Sequence, residues 1–463
     1  MKTKSIMKNE RYYISWMLIM FITICFGSCK SDSDKAEGFD PDKPTVISSF
    51  TPEEGSIGTR MIIYGENFGT DVSKVKVTIG GIEAPIVGVD KTAIYCMVPA
   101  KAYDGDVKVE ILDDDGQPIT KAEGDAKFTY VKKMRVSTFI GTKDDKGNFQ
   151  VKDGPFEDCG GLGRTWWLSF DPKNHNHLYV AGQDQVLRLV DFEKRYLSSI
   201  NQIGYKKIRS VCWTLQADSM IVTHDQDTET NPNNYVVSRE SGFKSPVALT
   251  YGRNCNGAAV HPVNGELYYN YYNAGEVFRY DFETAQKERL FSIQDKDWDF
   301  NIQIHPSGNY AYLVVVQKHY ILRSDYDWTN KRFTTPYIIC GAVGTTGWAD
   351  GVGKKVRLNV PSQGAFVKNE EYEERGLDDI YDFYFCDREN HCVRILTPDG
   401  KVTTFAGRGS PSLNNSKNGY INGDLLLEAR FDGPEGIVYD EERECFFIGD
   451  RANRRIRKIG YEE

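Results

Sequence analysis

The chain has 463 residues and ten cysteines, with 66 acidic against 57 basic side chains and a net charge of −9. At roughly 100–200 residues per domain it holds two to four domains, or one large β unit with an appendage. The acidic balance excludes a generic nucleic-acid binder, which needs Lys/Arg patches to displace counterions, while 27 Tyr, 24 Phe and 42 Gly lean the composition toward strands and turns.

Lys2, Lys4, Lys8 and Arg11 precede an apolar run from Tyr13 to Phe26 that ends in Phe26-Gly27-Ser28-Cys29. The run is shorter than the roughly 20 apolar residues a membrane span requires. It resembles a bacterial lipoprotein signal peptide, which implies cleavage after residue 28 and lipidation of Cys29. Residues 29–42 are polar and acidic and read as a flexible tether. The acidic start also resembles the export signal of lipoproteins displayed on the surface of some Gram-negative bacteria. The resemblance implies an outer-membrane protein facing outward, with a periplasm-facing orientation as the alternative and membrane contact through the lipid alone.

Residues 43–132 alternate in short strands separated by Gly/Pro turns, the pattern of a β-sandwich. Pro52, Gly55, Gly58-Thr59, Gly65 and Asn67-Phe68-Gly69 resemble the IPT/TIG immunoglobulin-like family, in which Phe68 would fill the core. The resemblance implies a spacer or docking module.

Residues 133–463 repeat with a period of roughly 40–50 residues, which points to a propeller or solenoid. Blade openings recur at Trp167-Leu168-Ser169-Phe170-Asp171-Pro172, around Ser210-Val211-Cys212-Trp213, and at Gly257-Ala258-Ala259-Val260, Asn301-Ile302-Gln303-Ile304, Gly364-Ala365-Phe366-Val367 and Gly436-Ile437-Val438-Tyr439, which makes six. Asp387…Asn390…Arg394 and Asp450…Asn453…Arg457, with Phe405-Ala406-Gly407, resemble NHL-type repeats. These recurrent polar sets read as loop-fixing bonds. Val136 to Gly141 matches Val402 to Gly407 and is expected to close the ring by joining the last blade. The expected fold is all-β: an immunoglobulin-like sandwich followed by a six-bladed NHL-type propeller.

On such a propeller, connections between blades share a face with those between second and third strands. The longest, Thr142 to Thr165, Ala342 to Val360 and Arg408 to Phe431, are rich in Gly and Asp and are the natural place for binding residues. The channel mouth on that face is expected to gather Trp166, Trp213, Asn256, Trp298, Phe300, Gln363 and Glu435. Tyr271 and Tyr272 lie nearby, along with the loop residues Gln183, Asp225 and Arg388. Flat aromatics with neighbouring amides and carboxylates suit a sugar, whose apolar ring face is bounded by hydroxyls. The second reading of the tryptophans is packing between blades.

Related propellers include metal-dependent lyases and lactonases, but only seven histidines are present and none falls at the inner mouth positions. No metal or other cofactor and no catalytic residues are expected. Cys386 and Cys392 flank a hairpin, where a disulfide could form in an oxidising compartment. The expected role is a non-catalytic surface protein that captures a glycan for an outer-membrane transporter, alone or beside a neighbouring surface lipoprotein. The alternative roles are a protein-docking or adhesion module and, less favoured, a channel-centred enzyme.

Overall fold

A computed structural model describes residues 38–143, 148–182, 186–201, 207–411 and 416–462. The leader expected over residues 1–28, lipidation at Cys29, the tether up to residue 37 and Gln183 lie outside the described residues. The chain divides into two compact units, Met1–Lys132 and Lys133–Glu463.

In the first unit, the described residues form two sheets. One pairs Val46–Thr51, Arg60–Glu66, Ala93–Met97 and Ile86–Asp90; the other joins Glu54–Gly55, Pro118–Tyr130, Gly105–Leu112, Val75–Ile79 and Ile82–Glu83. Alternation decides which side chains face inward: Val75, Val77 and Ile79 are buried while Lys76 and Thr78 are not. Phe68 joins Ile63, Ile94, Val109 and Phe128 in the core. Gly65 is required for a close approach, since a Cβ there would sit 1.9 Å from the Val46 carbonyl oxygen.

The second unit is a propeller of six blades among the described residues. Their innermost strands are Thr165–Asp171, Ile208–Trp213, Ala258–Val260, Phe300–Ile304, Pro361–Lys368 and Pro434–Asp440, defining blades 1 to 6. Met134–Ile140 supplies the fourth strand of blade 6, with Val136 opposite Ile459 and Thr138 opposite Arg457. The first strand of the unit thus closes the ring on the last, burying an edge that would otherwise be unpaired.

The long connections behave differently from the sequence expectation. Gly154–Pro155, Gly351–Val352 and Gly423–Asp424 each add a fifth strand to the outer edge of the following blade. The residue before each staples it there. Asp153 accepts from Arg188 at 3.1 Å and from the Ser199 backbone at 2.8 Å. Asp350 accepts from Arg394 at 2.8 Å and the Thr404 backbone at 3.2 Å, and Asn422 accepts from Arg457 at 2.6 Å. The Gly/Asp composition of these segments reflects edge-strand geometry.

The Cys386–Cys392 disulfide expectation is also corrected: both thiols are free and buried. The register pairs Asp387 with Cys392 and Cys386 with Val393. Cys386 and Cys392 therefore point to opposite faces of the sheet.

Candidate functional site

The starts of the innermost strands and the turns after the second strands converge at one end of the channel. They enclose a cavity of about 270 Å³ to which all six blades contribute. Blade 1 supplies Trp166 and Trp167, blade 2 Lys207 and Arg209, blade 3 Asn256, blade 4 Asp299, Phe300, Asn301 and Val316, blade 5 Ser362, Gln363 and Arg388, and blade 6 Glu435 and Arg451.

Of the residues expected at the mouth, Trp166, Asn256, Phe300, Gln363 and Glu435 line this cavity. Trp166 has its ring 4.4 Å from the Arg209 guanidinium carbon, and its indole N–H is buried with no hydrogen-bond partner. Asn256 Oδ1 accepts from Asn270 at 2.9 Å, which orients the amide. Phe300 is fully buried within the core cluster of blades 3 and 4 and offers no ring face to a ligand. Gln363 reaches across the channel. Its Oε1 accepts from the Leu168 and Ile437 backbone N–H groups at 2.9 and 3.1 Å, and its Nε2 donates to the Leu168 carbonyl at 2.7 Å. The amide is a strut linking blades 5, 1 and 6.

The other expected residues stand apart from the cavity. Trp213 lies at the far end of its strand, paired with Met220 beside the turn on the opposite face. Its ring packs 5.4 Å from Tyr179 and 5.6 Å from Phe243, and its Nε1 donates to Ser169 Oγ at 3.1 Å. Trp167 answers with a bond from its Nε1 to the Val211 carbonyl at 3.0 Å, so both rings join blades 1 and 2. Tyr271 is packed 4.6 Å from Phe278, with its hydroxyl on the Tyr251 carbonyl. Trp298 is 40% exposed outside the cavity, with Lys318 Nζ 4.4 Å from its ring centroid. Tyr272 sits one contact behind the wall, its hydroxyl 3.3 Å from Asp225.

The sequence reading named Asp225, Arg388 and Glu435 but passed over Lys207, Arg209, Asp299 and Arg451. Asp225 is buried, accepting from Arg209 at 2.7 and 3.2 Å with Lys207 at 3.6 Å. Glu435 is shared by two guanidiniums, Arg388 at 3.0 Å and Arg451 at 3.1 Å, and Arg388 also contacts Glu389 at 3.1 Å. Asp299 accepts from Gln317 at 3.1 Å. Burial raises the Glu435 carboxyl above its ordinary range, opposed by Arg388 and Arg451. Burial lowers the Arg451 guanidinium, and the charges of Arg388 and Arg164 add to that lowering against the pull of Glu435.

The turn position that gave Tyr272, Asp225 and Arg388 in the sequence also finds Val316 and Arg451. Tyr272, Val316, Arg388 and Arg451 each follow directly after a blade's second strand, Leu267–Tyr271, Tyr310–Val315, Tyr381–Asp387 and Cys445–Asp450, and Asp225 does so after Ser219–His224. One turn position, read around the ring, identifies the rim.

Among the described residues no three His, Cys, Asp or Glu side chains gather as a metal-ligand set. The recurrent Asp…Asn…Arg sets lie away from the cavity, inside blades 5 and 6.

Residues 44–130 match the IPT/TIG domain family. An auxiliary nutrient binding protein from Bacteroides thetaiotaomicron is 63% identical, with 92% of this chain and 100% of that chain covered and a TM-score of 0.88. An auxiliary nutrient binding protein from Bacteroides ovatus is 42% identical over 92% of this chain and 100% of that one, with a TM-score of 0.73. A Bacteroides thetaiotaomicron structure named a putative phosphatase is 39% identical over 92% and 99%, with a TM-score of 0.80. Among curated proteins, none matches the chain.

Proposed function

The chain belongs to the family of the Bacteroides auxiliary nutrient binding proteins, and on that premise we propose that it is a non-catalytic receptor that takes the end of a glycan chain into the propeller cavity. The observation that carries this reading is the cavity of about 270 Å³, built by all six blades and lined by an indole and several hydrogen-bonding side chains. A sugar presents an apolar ring face edged by hydroxyls, which such a lining complements. The volume falls near the small end of the roughly 300–1,000 Å³ typical of ligand sites. It favours one or two rings at a chain terminus over the middle of a polymer laid across a flat platform. Trp166 then contributes the aromatic part of the cavity lining.

The address proposed for this receptor is the outer membrane, anchored through a lipid on Cys29 and facing outward. The basic leader, the Gly27-Ser28-Cys29 boundary and the acidic stretch that follows support it. The captured glycan would pass to an outer-membrane transporter or a neighbouring surface lipoprotein.

The test is titration calorimetry and affinity electrophoresis of the purified chain against a broad panel of oligo- and polysaccharides, beside Trp166→Ala. Binding of at least one glycan, weakened tenfold or more in the variant, is the expected result. A panel without a single binder would sink the glycan reading and turn attention to a protein partner. For the address, Cys29→Ala should abolish fatty-acid labelling, and protease added to intact cells should digest the wild-type chain.

A further inference from the structure

The cavity wall carries four cations, Lys207, Arg209, Arg388 and Arg451, against two anions, Asp299 and Glu435, in a chain whose net charge is −9. Part of this excess is balanced from behind. Asp225 takes Arg209 at 2.7 Å and Lys207 at 3.6 Å, and Glu389 contacts Arg388 at 3.1 Å. Arg451 is left with the smallest share. Its one carboxylate, Glu435, is also held by Arg388, its Nε makes no hydrogen bond, and its side chain is 23% exposed. Among the described residues neither its Nη1 nor its Nη2 donates a hydrogen bond, and Arg388 Nη2 is likewise free. Two guanidiniums on one carboxylate repel each other where partial burial weakens solvent screening; burial is the main cause of Arg451's lowered affinity for its proton, and the Arg388 charge adds to it. Guanidinium edges with unused donors fit planar or tetrahedral oxyanions better than they fit neutral hydroxyls.

We infer that the terminal sugar received by this cavity carries an oxyanion, a carboxylate or a sulfate ester, bound by the free edges of Arg451 and Arg388. This inference rests on the glycan-receptor reading and narrows its ligand to acidic saccharides. Glu435 then has a second consequence: it holds the two guanidiniums in place and competes with the ligand for them. Removing its charge should therefore strengthen binding of an acidic sugar.

The experiment is titration calorimetry of the full chain in detergent against three sets of short oligosaccharides with matched backbones, ending in a neutral sugar, a uronic acid or a sulfated sugar. At least one acidic set is expected to bind tenfold or more tighter than its neutral counterpart, and whichever it is names the oxyanion. Arg451→Gln should weaken that acidic ligand tenfold or more and cost the neutral one less. Glu435→Gln should tighten it several-fold, a gain that misfolding cannot mimic. Neutral ends binding as well as acidic ends would overturn this inference and leave the glycan receptor standing. Acidic preference unaltered in both variants would overturn the assignment to Arg451 and Arg388. Failure of all three sets, in a chain that binds no other saccharide, would remove the glycan reading and this inference together.

Discussion

Asp387 Oδ2 lies 2.9 Å from Arg394 Nη1, and neither side chain is exposed. Blade 6 repeats the pair with Asp450 and Arg457, also at 2.9 Å. Asn390 and Asn453 donate to the same carboxylates at 2.7 and 2.8 Å, and the second guanidinium edges hold Asp350 and Asn422 on the blade's outer edge. Each set thus ties a turn, a third strand and a fifth strand together around one buried charge pair. Removing one partner of such a pair leaves an uncompensated buried charge, at about 3–5 kcal/mol. Arg394→Met should therefore lower unfolding stability by about that amount, and Asp387→Leu combined with Arg394→Met should recover part of it. Denaturant unfolding of the three chains checks this; a double variant no more stable than the single would contradict it.

Gln363 is expected to act on stability before it acts on ligand. Gln363→Leu leaves the Leu168 N–H and C=O and the Ile437 N–H without the bonds they now have. Buried groups left unpaired cost about 1–3 kcal/mol each, and water in the cavity will recover some of that, so a loss of about 2–5 kcal/mol is expected. Thermal unfolding in the absence of any ligand is the measurement.

The two tryptophans Trp166 and Trp213 should separate cleanly. Trp213 is 9% exposed and packed between blades. Trp213→Ala should cost about 3–5 kcal/mol in stability while the variant that remains folded keeps its ligand affinity. Trp166→Ala should do the reverse. Paired unfolding and calorimetry curves on both variants decide it, and equal effects of the two on affinity would count against the cavity as the site.

Acid should destabilise the propeller through three histidines. His261, His319 and His391 each accept backbone N–H groups at Nδ1: from Val263 and Asn264 at 3.3 Å, Val360 at 3.0 Å and Gly433 at 3.1 Å. Burial lowers all three below the ordinary value of 6.5, with Asp432 and Glu389 pulling His391 back up. A depressed histidine means that the unfolded chain takes up protons first, so this contribution is complete above pH 6.5 and shrinks as pH falls through the folded values. His391→Asn keeps an acceptor for Gly433 and tolerates the positive φ of 56° at that position. Between pH 7.5 and 5, the unfolding temperature of wild type should fall further than that of His391→Asn; parallel curves would refute the assignment.

Reduction should leave the fold untouched, because every described cysteine is free. Burial raises the thiols of Cys386 and Cys392 well above their ordinary values, so alkylation by iodoacetamide should need denaturant. An unfolding temperature lowered by dithiothreitol would indicate a disulfide after all.

How much of this was legible in the chain differs between fold and site. Strand alternation, Gly/Pro turns and the period of the repeat are local properties, so the sandwich, the blades and the closing strand at Val136 could be read directly. Phe68 sits in the core as read, whereas Gly65 lies within a strand, against the Val46 carbonyl, and serves no turn. Blade 2 marks the limit. Val211-Cys212-Trp213 resembles a blade opening, yet the strand begins at Ile208 because Ile208 pairs with His224 and Trp213 with Met220. That offset of several residues moved a tryptophan to the wrong end and hid Lys207 and Arg209.

The sequence by itself determined the architecture, because periodicity and turn chemistry act between residues close in the chain. Only the tertiary structure decided the site. Trp166, Arg209, Asn256, Gln363, Arg388 and Arg451 come together through the register of six separate blades. Whether each side chain is free for a ligand or spent on a neighbour, as the Gln363 amide is on Leu168, depends on hydrogen bonds between residues nearly 200 positions apart. No local pattern encodes those bonds.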